Sequence, residues 1–281
     1  MIMQDYLNRK NIDKRIYIPF GLEIEMEGIE YEKGFRALSH KITDDWKVTT
    51  DRSLIAGGIE LVSPVLDNTK ESITRLKKIS STLDFFGATF ERASFQLNFD
   101  AYNLSNNDII YLLKIFSIYE NVIYRFSTGI NESMRSSISY ALPISSVFSS
   151  SYKDYSDTKE SYDSLINNKS FALSLKTLSR NNNDPIKVIE FRTPNGTSNF
   201  YLWMNYIVFF SSLLTTIINK KYDAEYIDYI FLGMNFFQSM EEMLKVDEKR
   251  AKELADLIFN CEEEKDIFYS QYFDKIVRTR K

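Results

Sequence analysis

Hydrophobic and polar residues alternate in short runs through the first two thirds of the chain. Successive side chains of a β-strand point to opposite faces of a sheet, so this alternation predicts strands with one buried face. Each run is bounded by Gly, Pro, Asn or Asp, which are typical of turns. The predicted strands are Tyr17–Glu27, Trp46–Thr50, Gly58–Ser63, Ala88–Asp100, Phe171–Leu178 and Ile186–Arg192.

A helical period of apolar residues separates some of these strands and then dominates the rest of the sequence. The predicted helices are Asn68–Phe85 and Ser105–Arg125, followed after Asn199 by helices through Leu214, Tyr222–Met234, Asp247–Asn260 and Glu262–Ile276. Ser105 is expected to cap the second helix, with Asp108 in its first turn. We predict one α+β domain over residues 1–281, with a mainly antiparallel sheet in 16–198 and a helical part in 199–281.

Two segments between strands are predicted to be loops. Asn181–Asp184 has the composition of a tight hairpin turn that joins the last two strands. Ser145–Asp163 is rich in Ser, Tyr and Asp and has no clear period. We expect a mobile loop or lid there, with an ordered surface loop as the alternative.

The composition narrows the chemistry that the chain can perform. Of the 281 residues, 44% are hydrophobic, which is enough for one large core or two modest ones. The net charge of −4 offers no overall attraction to nucleic acid or anionic lipid, and leaves open only a local basic patch. Cys261 is the only cysteine, so an internal disulfide is excluded. Because His40 is the only histidine, a metal site must rely mostly on oxygen ligands, which favours Mg²⁺, Mn²⁺ or Ca²⁺.

One apolar segment is about as long as a bilayer crossing. Phe200–Ile218 has no charged residue, but its polar residues form one stripe on a helix, which favours a buried core helix over a transmembrane span. These polar residues are Asn205, Ser211, Ser212, Thr215 and Thr216. Met1–Arg15 carries charges throughout and lacks the apolar run of a signal peptide, so the expected compartment is the cytoplasm.

The first predicted strand places three carboxylates on one face and three apolar side chains on the other. The carboxylates are Glu23, Glu25 and Glu27, and the apolar residues are Leu22, Ile24 and Met26. Crowded carboxylates repel one another and raise one another's pKa unless a cation lies among them. The pattern is therefore equally compatible with a metal site and with a solvated open face of a sheet.

Two later strands have matching polar faces. Gln96, Asn98 and Asp100 share one side of the fourth strand, where they can complete a cation shell, hold a ligand or form a hydrogen-bonded ladder. Glu190 and Arg192 share one side of the last strand. The planar fork of Arg192 suits phosphate oxygens, and a surface ion pair with Glu190 is the alternative.

A hairpin-like unit adds polar groups at strand ends. It contains Asp51-Arg-Ser-Leu54 and Gly57-Gly-Ile-Glu-Leu-Val-Ser-Pro64. Glu60 lies between two apolar residues and so faces away from their layer. Gly58 lets backbone amides approach a ligand closely, although a simple turn explains the glycine pair equally well.

Taken together and in order, these segments resemble the amidoligase family, which belongs to the carboxylate–amine ligase group related to glutamine synthetase and glutamate–cysteine ligase. The resemblance runs from about Phe20 to about Leu214. The matching residues are Phe20-Gly-Leu-Glu-Ile-Glu25, Trp46, Asp51-Arg-Ser-Leu54, Gly58-Ile-Glu-Leu-Val-Ser-Pro64, Gly87-Ala88, Gln96, Asn98, Arg135, Ile189-Glu-Phe-Arg192 and Gly196-Thr197. Amidoligases usually carry a His-x-His strand where this chain has Gln96-Leu-Asn98, which is similar to the strand of plant-type glutamate–cysteine ligases.

The resemblance implies a fold, cofactors and site residues. The fold is a concave, glutamine-synthetase-like antiparallel sheet of about six strands, whose open face holds ATP and two or three Mg²⁺ ions, with Mn²⁺ as an alternative. The implied metal ligands are Glu23, Glu25, Glu60 and Gln96, with Glu190 as a further metal-binding or catalytic candidate. Arg192 and Arg135 would hold the γ-phosphate or an acyl phosphate, and Asn98 and Gly58 complete the expected nucleotide site.

The implied reaction joins a small-molecule or peptide carboxylate to an amine. The carboxylate attacks the γ-phosphate of ATP, and the amine then displaces phosphate from the acyl phosphate to leave an amide. Such phosphoryl transfer needs positioning and charge neutralisation, which strand carboxylates with Mg²⁺ and Arg192 would supply. The sequence has no P-loop motif, and neither nucleic acid nor a membrane is an expected partner.

Two other functions stay open at this point. An ATP-dependent phosphotransferase would use the same sheet and release ADP without any dependence on an amine. A structural or binding protein would have kept the fold and lost the chemistry. The replaced histidine pair and the helices after Tyr222 fit that second alternative.

Overall fold

The computed structural model describes residues 18–29, 45–51, 53–54, 58–128, 140–148, 168–179, 187–234 and 245–273. Within these residues the chain forms one six-stranded sheet in which every strand pairing is antiparallel. The strands are β1 (Phe20–Met26), β2 (Lys47–Asp51), β3 (Gly58–Val62), β4 (Phe95–Asp100), β5 (Leu173–Ser174) and β6 (Val188–Phe191). Their order across the sheet is β2-β3-β1-β4-β6-β5.

Helices follow the third and fourth strands and make up the C-terminal part. They are α1 (Lys70–Phe85), α2 (Asn106–Ile118), α3 (Glu120–Thr128), α4 (Ser145–Phe148), α5 (Phe200–Ile218), α6 (Ala224–Gly233), α7 (Glu248–Ile258) and α8 (Glu262–Tyr272). A 3₁₀ turn spans Lys176–Ser179. The predicted α+β fold, with its antiparallel sheet and helical C-terminal part, is confirmed.

The predicted cap of α2 is confirmed in detail. Ser105 Oγ accepts a hydrogen bond from the Asp108 N–H at 3.2 Å, and Asp108 Oδ2 accepts one from the Ser105 N–H at 2.9 Å. This reciprocal capping box satisfies N–H groups that the first turn of a helix leaves without partners. A serine followed three residues later by an acid is therefore enough to locate this helix start.

The single predicted helix Ser105–Arg125 is wrong, because the chain forms two helices that meet at Tyr119. Tyr119 leaves helical geometry, with φ −108° and ψ 16°. The next residue, Glu120, is buried, and its carboxylate accepts hydrogen bonds from the N–H groups of Ile144 at 2.7 Å and Ser145 at 3.1 Å. These hydrogen bonds between distant segments fix the position of α3. Burial also raises the pKa of the Glu120 carboxyl to about 7.

The predicted loop Ser145–Asp163 begins with helix α4, because Glu120 holds the backbone at its start. Residues 149–163 and the predicted turn Asn181–Asp184 lie outside the described residues. The expected lid over the sheet therefore stays a prediction.

The predicted strand Phe171–Leu178 pairs over only two residues, Leu173 and Ser174, before the chain enters the 3₁₀ turn. Thr177 Oγ1 accepts a hydrogen bond from the Val188 N–H at 2.9 Å and donates one to the Val188 carbonyl at 2.5 Å. A side chain thus replaces the backbone ladder at the place where the strand was expected to continue.

The core lies on one side of the sheet, where α5 packs against the apolar face. Phe95 stacks on Trp203 with 5.5 Å between ring centroids, and Phe191 stacks on Phe210 at 4.3 Å. Helix α5 is long and apolar enough to cross a membrane, yet 78% of its most apolar window is buried in the fold. This agrees with the predicted core helix and leaves polar side chains to collect on the other face of the sheet.

Candidate active site

The face of the sheet turned away from α5 carries what we call the polar band. Its members come from β1, β3, β4 and β6, and strand register sets them opposite one another. The opposed pairs are Glu25 with Glu60, Glu23 with Gln96, and Asn98 with Glu190. The predicted alternation in these strands is confirmed, and the pairing brings candidates from four strands onto one surface.

Three carboxylates converge at one end of the polar band, two from its own strands and the third from the end of the neighbouring β2. One carboxylate oxygen from each of Glu25, Asp51 and Glu60 lies within 4.8 Å of the other two. Glu25 is only 4% exposed, and Glu60 also accepts a hydrogen bond from Thr49 Oγ1 at 3.1 Å. Carboxylate oxygens are the hard donors that bind Mg²⁺, Mn²⁺ or Ca²⁺ in proteins. We call these three residues the acidic cluster.

Asp51 is the member of the acidic cluster that sequence reasoning missed as a ligand. It ends β2, where its side chain also accepts a hydrogen bond from the Ser53 N–H at 2.7 Å. Pairing of Asp51 with Gly58 brings this strand end close to Glu60 on β3. Its place in the Asp51-Arg-Ser-Leu54 motif marked it as a residue of interest. Only the register of β2 on β3 shows that its carboxylate lies beside Glu60.

Glu23 carries a raised pKa within the polar band. Burial is the main reason why its pKa rises from 4.5 to about 7, and the charges of Glu190 and Glu60 add to the rise. A hydrogen bond from Asn98 Nδ2 at 3.0 Å and the charge of Arg192 act in the opposite direction. Burial raises the pKa of Glu60 as well, and neighbouring carboxylates contribute. The polar band thus concentrates negative charge where water is scarce, and a cation would compensate that charge.

Replacing Glu23 with Gln is expected to stabilise the metal-free protein at pH 8 by on the order of 1–3 kcal/mol. The folded protein holds the Glu23 proton more tightly than the unfolded chain does. Protonation of Glu23 therefore stabilises the folded protein fully below about pH 4.5, and this stabilisation is lost as the pH rises through about 7. The gain in the Glu23→Gln variant should grow from pH 5 to pH 8 in denaturant titrations with a chelator.

The exposed Glu91 provides the matched control for this prediction. Glu91→Gln should change the free energy of unfolding little at either pH. An equal stability change for Glu23→Gln at pH 5 and pH 8 would contradict the raised pKa of Glu23.

Arg192 lies at the other end of the polar band and is held by several partners. Its Nη1 group donates to Gln96 Oε1 at 2.8 Å and pairs with the Glu190 carboxylate, and its Nε donates to the Tyr140 carbonyl at 3.2 Å. Among the described residues, no acceptor bonds to Nη2. The side chain is 12% exposed. A held guanidinium with one amino group available suits a phosphate group.

Other predicted site residues have different surroundings. A Cβ on Gly58 would lie 2.2 Å from the Leu54 Cβ, so the missing side chain has a packing reason, and its contact with a nucleotide stays a prediction. Glu27 follows the end of β1, where its backbone pairs with Thr89. Arg135 lies outside the described residues.

Replacing Gly196 with Ala is expected to destabilise the protein by about 1–3 kcal/mol. An added Cβ would lie 2.9 Å from the backbone C and O atoms of Ala93, which cannot move without shifting the start of β4. The next residue, Ser94, donates its N–H to Glu25 at 2.9 Å, so the strain would reach the acidic cluster. Denaturant titration should show the loss. In the control Gly233→Ala, the added Cβ meets nothing within 4 Å, so an equal loss there would contradict the packing argument.

Comparison with known proteins identifies the family of the chain. A family model described as "Putative amidoligase enzyme" matches residues 7–214, which is most of the chain. No curated protein matches the chain significantly. The matched residues include all six strands, the acidic cluster and Arg192. The order of motifs along the sequence, the antiparallel sheet and the extent of this match lead to one conclusion: the chain belongs to the amidoligase family.

Proposed function

We propose that the protein is an ATP-dependent carboxylate–amine ligase, which forms an amide or peptide-like bond through an acyl phosphate. The observation that carries this proposal is the convergence of the acidic cluster and Arg192 on one face of a single sheet. Phosphoryl transfer depends on positioning and charge neutralisation more than on a protein nucleophile, and these groups supply both. Family membership supports amide formation as the outcome.

The acidic cluster fits a divalent cation. Its three carboxylates offer hard oxygen donors at close spacing, and the raised pKa of Glu60 reflects burial and negative charge that a cation would offset. We assign Mg²⁺, or Mn²⁺ in its place, to Glu25, Asp51 and Glu60, with Glu23 beside them. A bound Mg²⁺ would neutralise charge on phosphate oxygens.

The remaining residues of the polar band hold and orient the reacting groups. Arg192 would bind the transferred phosphoryl group through its available Nη2 group, while the ion pair with Glu190 keeps the guanidinium in place. Asn98 fixes the orientation of Glu23 through its hydrogen bond at 3.0 Å. Glu23, Asn98 and Glu190 project from strands backed by the aromatic core, so their positions do not depend on flexible loops. Arg192 lies one residue past β6 and is held in place by its bonds to Gln96 and Glu190.

The proposed reaction has two steps. A carboxylate oxygen of the acid attacks the γ-phosphorus of ATP, and ADP leaves. The amine nitrogen then attacks the acyl carbon, the bond to the phosphate oxygen breaks, and the amine releases a proton to solvent. The products are an amide, ADP and phosphate, and the two organic substrates are small molecules or peptides.

The proposal is tested by measuring ADP and amide in the same reaction while acids and amines are varied. We expect ADP release to require Mg²⁺, an acid and an amine together, and Mg-ATP to raise the Tm above its value with Mg²⁺ alone. The variant Glu91→Gln, changed on an exposed position, should behave as the wild type. ADP release that is independent of the amine would favour a phosphotransferase. No change of Tm with Mg-ATP would favour a structural or binding protein.

A further inference from the structure

A chain of hydrogen bonds crosses the polar band from Arg192 to Glu25 through the side chain of Gln96. Arg192 Nη1 donates to Gln96 Oε1 at 2.8 Å, and Gln96 Nε2 donates to Glu25 Oε1 at 2.7 Å. Gln96 is 2% exposed and Glu25 is 4% exposed, so water hardly competes for these bonds. The two ends of this chain are the proposed phosphate-binding residue and a proposed metal ligand.

The orientation of the Gln96 amide is fixed by its charged neighbours. The Arg192 guanidinium has only donors, and both oxygens of the Glu25 carboxylate accept hydrogen bonds, so a flipped amide would set donor against donor and acceptor against acceptor. Ser94 adds to the restraint, because its Oγ accepts a bond from Gln96 Nε2 at 2.9 Å and its N–H donates to Glu25 Oε2 at 2.9 Å. Each carboxylate oxygen of Glu25 therefore accepts a hydrogen bond, which fixes the plane of the carboxylate.

We infer that Gln96 is a positioning residue that holds Glu25 in its metal-binding orientation and makes this orientation depend on Arg192. The inference rests on the proposed function, because it requires a metal ion at Glu25. An amide whose oxygen accepts a bond from a guanidinium donates more strongly through its nitrogen. Loss of Arg192 therefore weakens the hydrogen bond that orients the Glu25 carboxylate. The effect passes through Gln96, which bonds to both residues. This role differs from the direct metal contact that the family resemblance implies for Gln96.

The sign of one measurement separates this inference from simple electrostatics. Removing the positive charge of Arg192 should, by Coulomb's law alone, strengthen the binding of a nearby cation. If Arg192 orients Gln96, and Gln96 in turn orients the Glu25 carboxylate, removing Arg192 should instead weaken cation binding. The two expectations have opposite signs, so the affinity of the site for a cation decides between them.

The experiment measures Mn²⁺ affinity without nucleotide, from the electron paramagnetic resonance signal of free Mn²⁺. The variants are Gln96→Met, Arg192→Met and the double substitution. We expect Gln96→Met to weaken Mn²⁺ binding about tenfold, as is usual when a partner of a metal ligand is lost. Arg192→Met should also weaken it, and the double variant should bind no more weakly than Gln96→Met alone, because both substitutions act through one contact.

Gln271 provides a matched control for the loss of a buried glutamine. It is 1% exposed, accepts a hydrogen bond from Asn205 Nδ2 at 2.7 Å and donates one to the Phe126 carbonyl at 2.8 Å. Gln271→Met should lower the Tm as much as Gln96→Met and leave Mn²⁺ affinity unchanged. Equal loss of Mn²⁺ affinity in both variants would assign the effect to general loosening and overturn the inference.

The outcomes distinguish this inference from the proposed function. If the wild type binds Mn²⁺ and Arg192→Met binds it equally well or more tightly, the positioning role is wrong and the proposed function stands. If the wild type binds no Mn²⁺, both are wrong. Should Gln96→Met fail to fold, the comparison of Arg192→Met with the wild type still decides. The direction in which the Mn²⁺ affinity changes in that variant is enough to test the inference.

Discussion

Replacing Glu25 with Gln is expected to lower the rate of amide formation at least about a hundredfold, because a metal ion supplies several kcal/mol of transition-state stabilisation in such reactions. Glu25 contributes an oxygen to the acidic cluster and lies at its most buried position. The amide of Gln has a single oxygen and a weaker dipole, so the affinity for Mg²⁺ should fall with the rate. Amide product and Mn²⁺ affinity are the two measurements.

The stability of Glu25→Gln should differ from that of Glu23→Gln. Both oxygens of Glu25 accept hydrogen bonds, from Gln96 and from the Ser94 N–H, so the NH₂ group of Gln would face a donor on one side. We expect no gain in the Tm of the metal-free protein, in contrast to Glu23→Gln at pH 8. Normal amide formation by Glu25→Gln would remove Glu25 from the metal site.

Replacing Arg192 with Lys should lower the rate of amide formation about a hundredfold even though the charge is kept. Arg192 donates to Gln96 and to the Tyr140 carbonyl and pairs with Glu190, and no acceptor in the described part of the chain bonds to its Nη2 group. A lysine ammonium has three donors on one atom and cannot span these positions. The decisive measurement is kcat for amide formation at saturating Mg-ATP.

Arg75→Lys is the control for this substitution, because Arg75 also pairs with two carboxylates but lies on α1 at the protein surface. It should leave the rate unchanged. A rate near that of the wild type for Arg192→Lys would give Arg192 a structural role, and Arg135 would become the stronger candidate for phosphate binding.

Alternation along single strands was enough to predict which candidates of β1 and β4 share a face. Glu23 and Glu25 share a face with Gln96 and Asn98 because the side-chain period of a strand is two and does not depend on distant residues. Strand register was not predictable in the same way, because it follows from pairing between segments far apart in the chain. Asp51 was missed for this reason, since only its pairing with Gly58 places it beside the acidic cluster.

Element boundaries failed where tertiary contacts override local preference. Nothing in the helical period around Tyr119 marks a break, and the buried Glu120 carboxylate acts through backbone N–H groups that lie 24 and 25 residues away. The strand expected from Phe171 ends early because Thr177 bonds to Val188 through its side chain. In each case the deciding partner is distant in sequence, so a local pattern carries no signal for it.

The position of α5 has a practical consequence for recombinant fragments. The family match stops at residue 214, inside this helix, and residues 215–218 complete it. Phe209 stacks on Phe268 of α8 with 5.8 Å between ring centroids, and Asn205 bonds to Gln271 of the same helix. A fragment that ends at residue 214 would shorten the helix that packs against the sheet. It would also lack α8 and so expose aromatic rings of α5, such as Phe209, to solvent. Soluble expression should therefore require the chain at least through Tyr272, even though the residues proposed for catalysis all lie before α5.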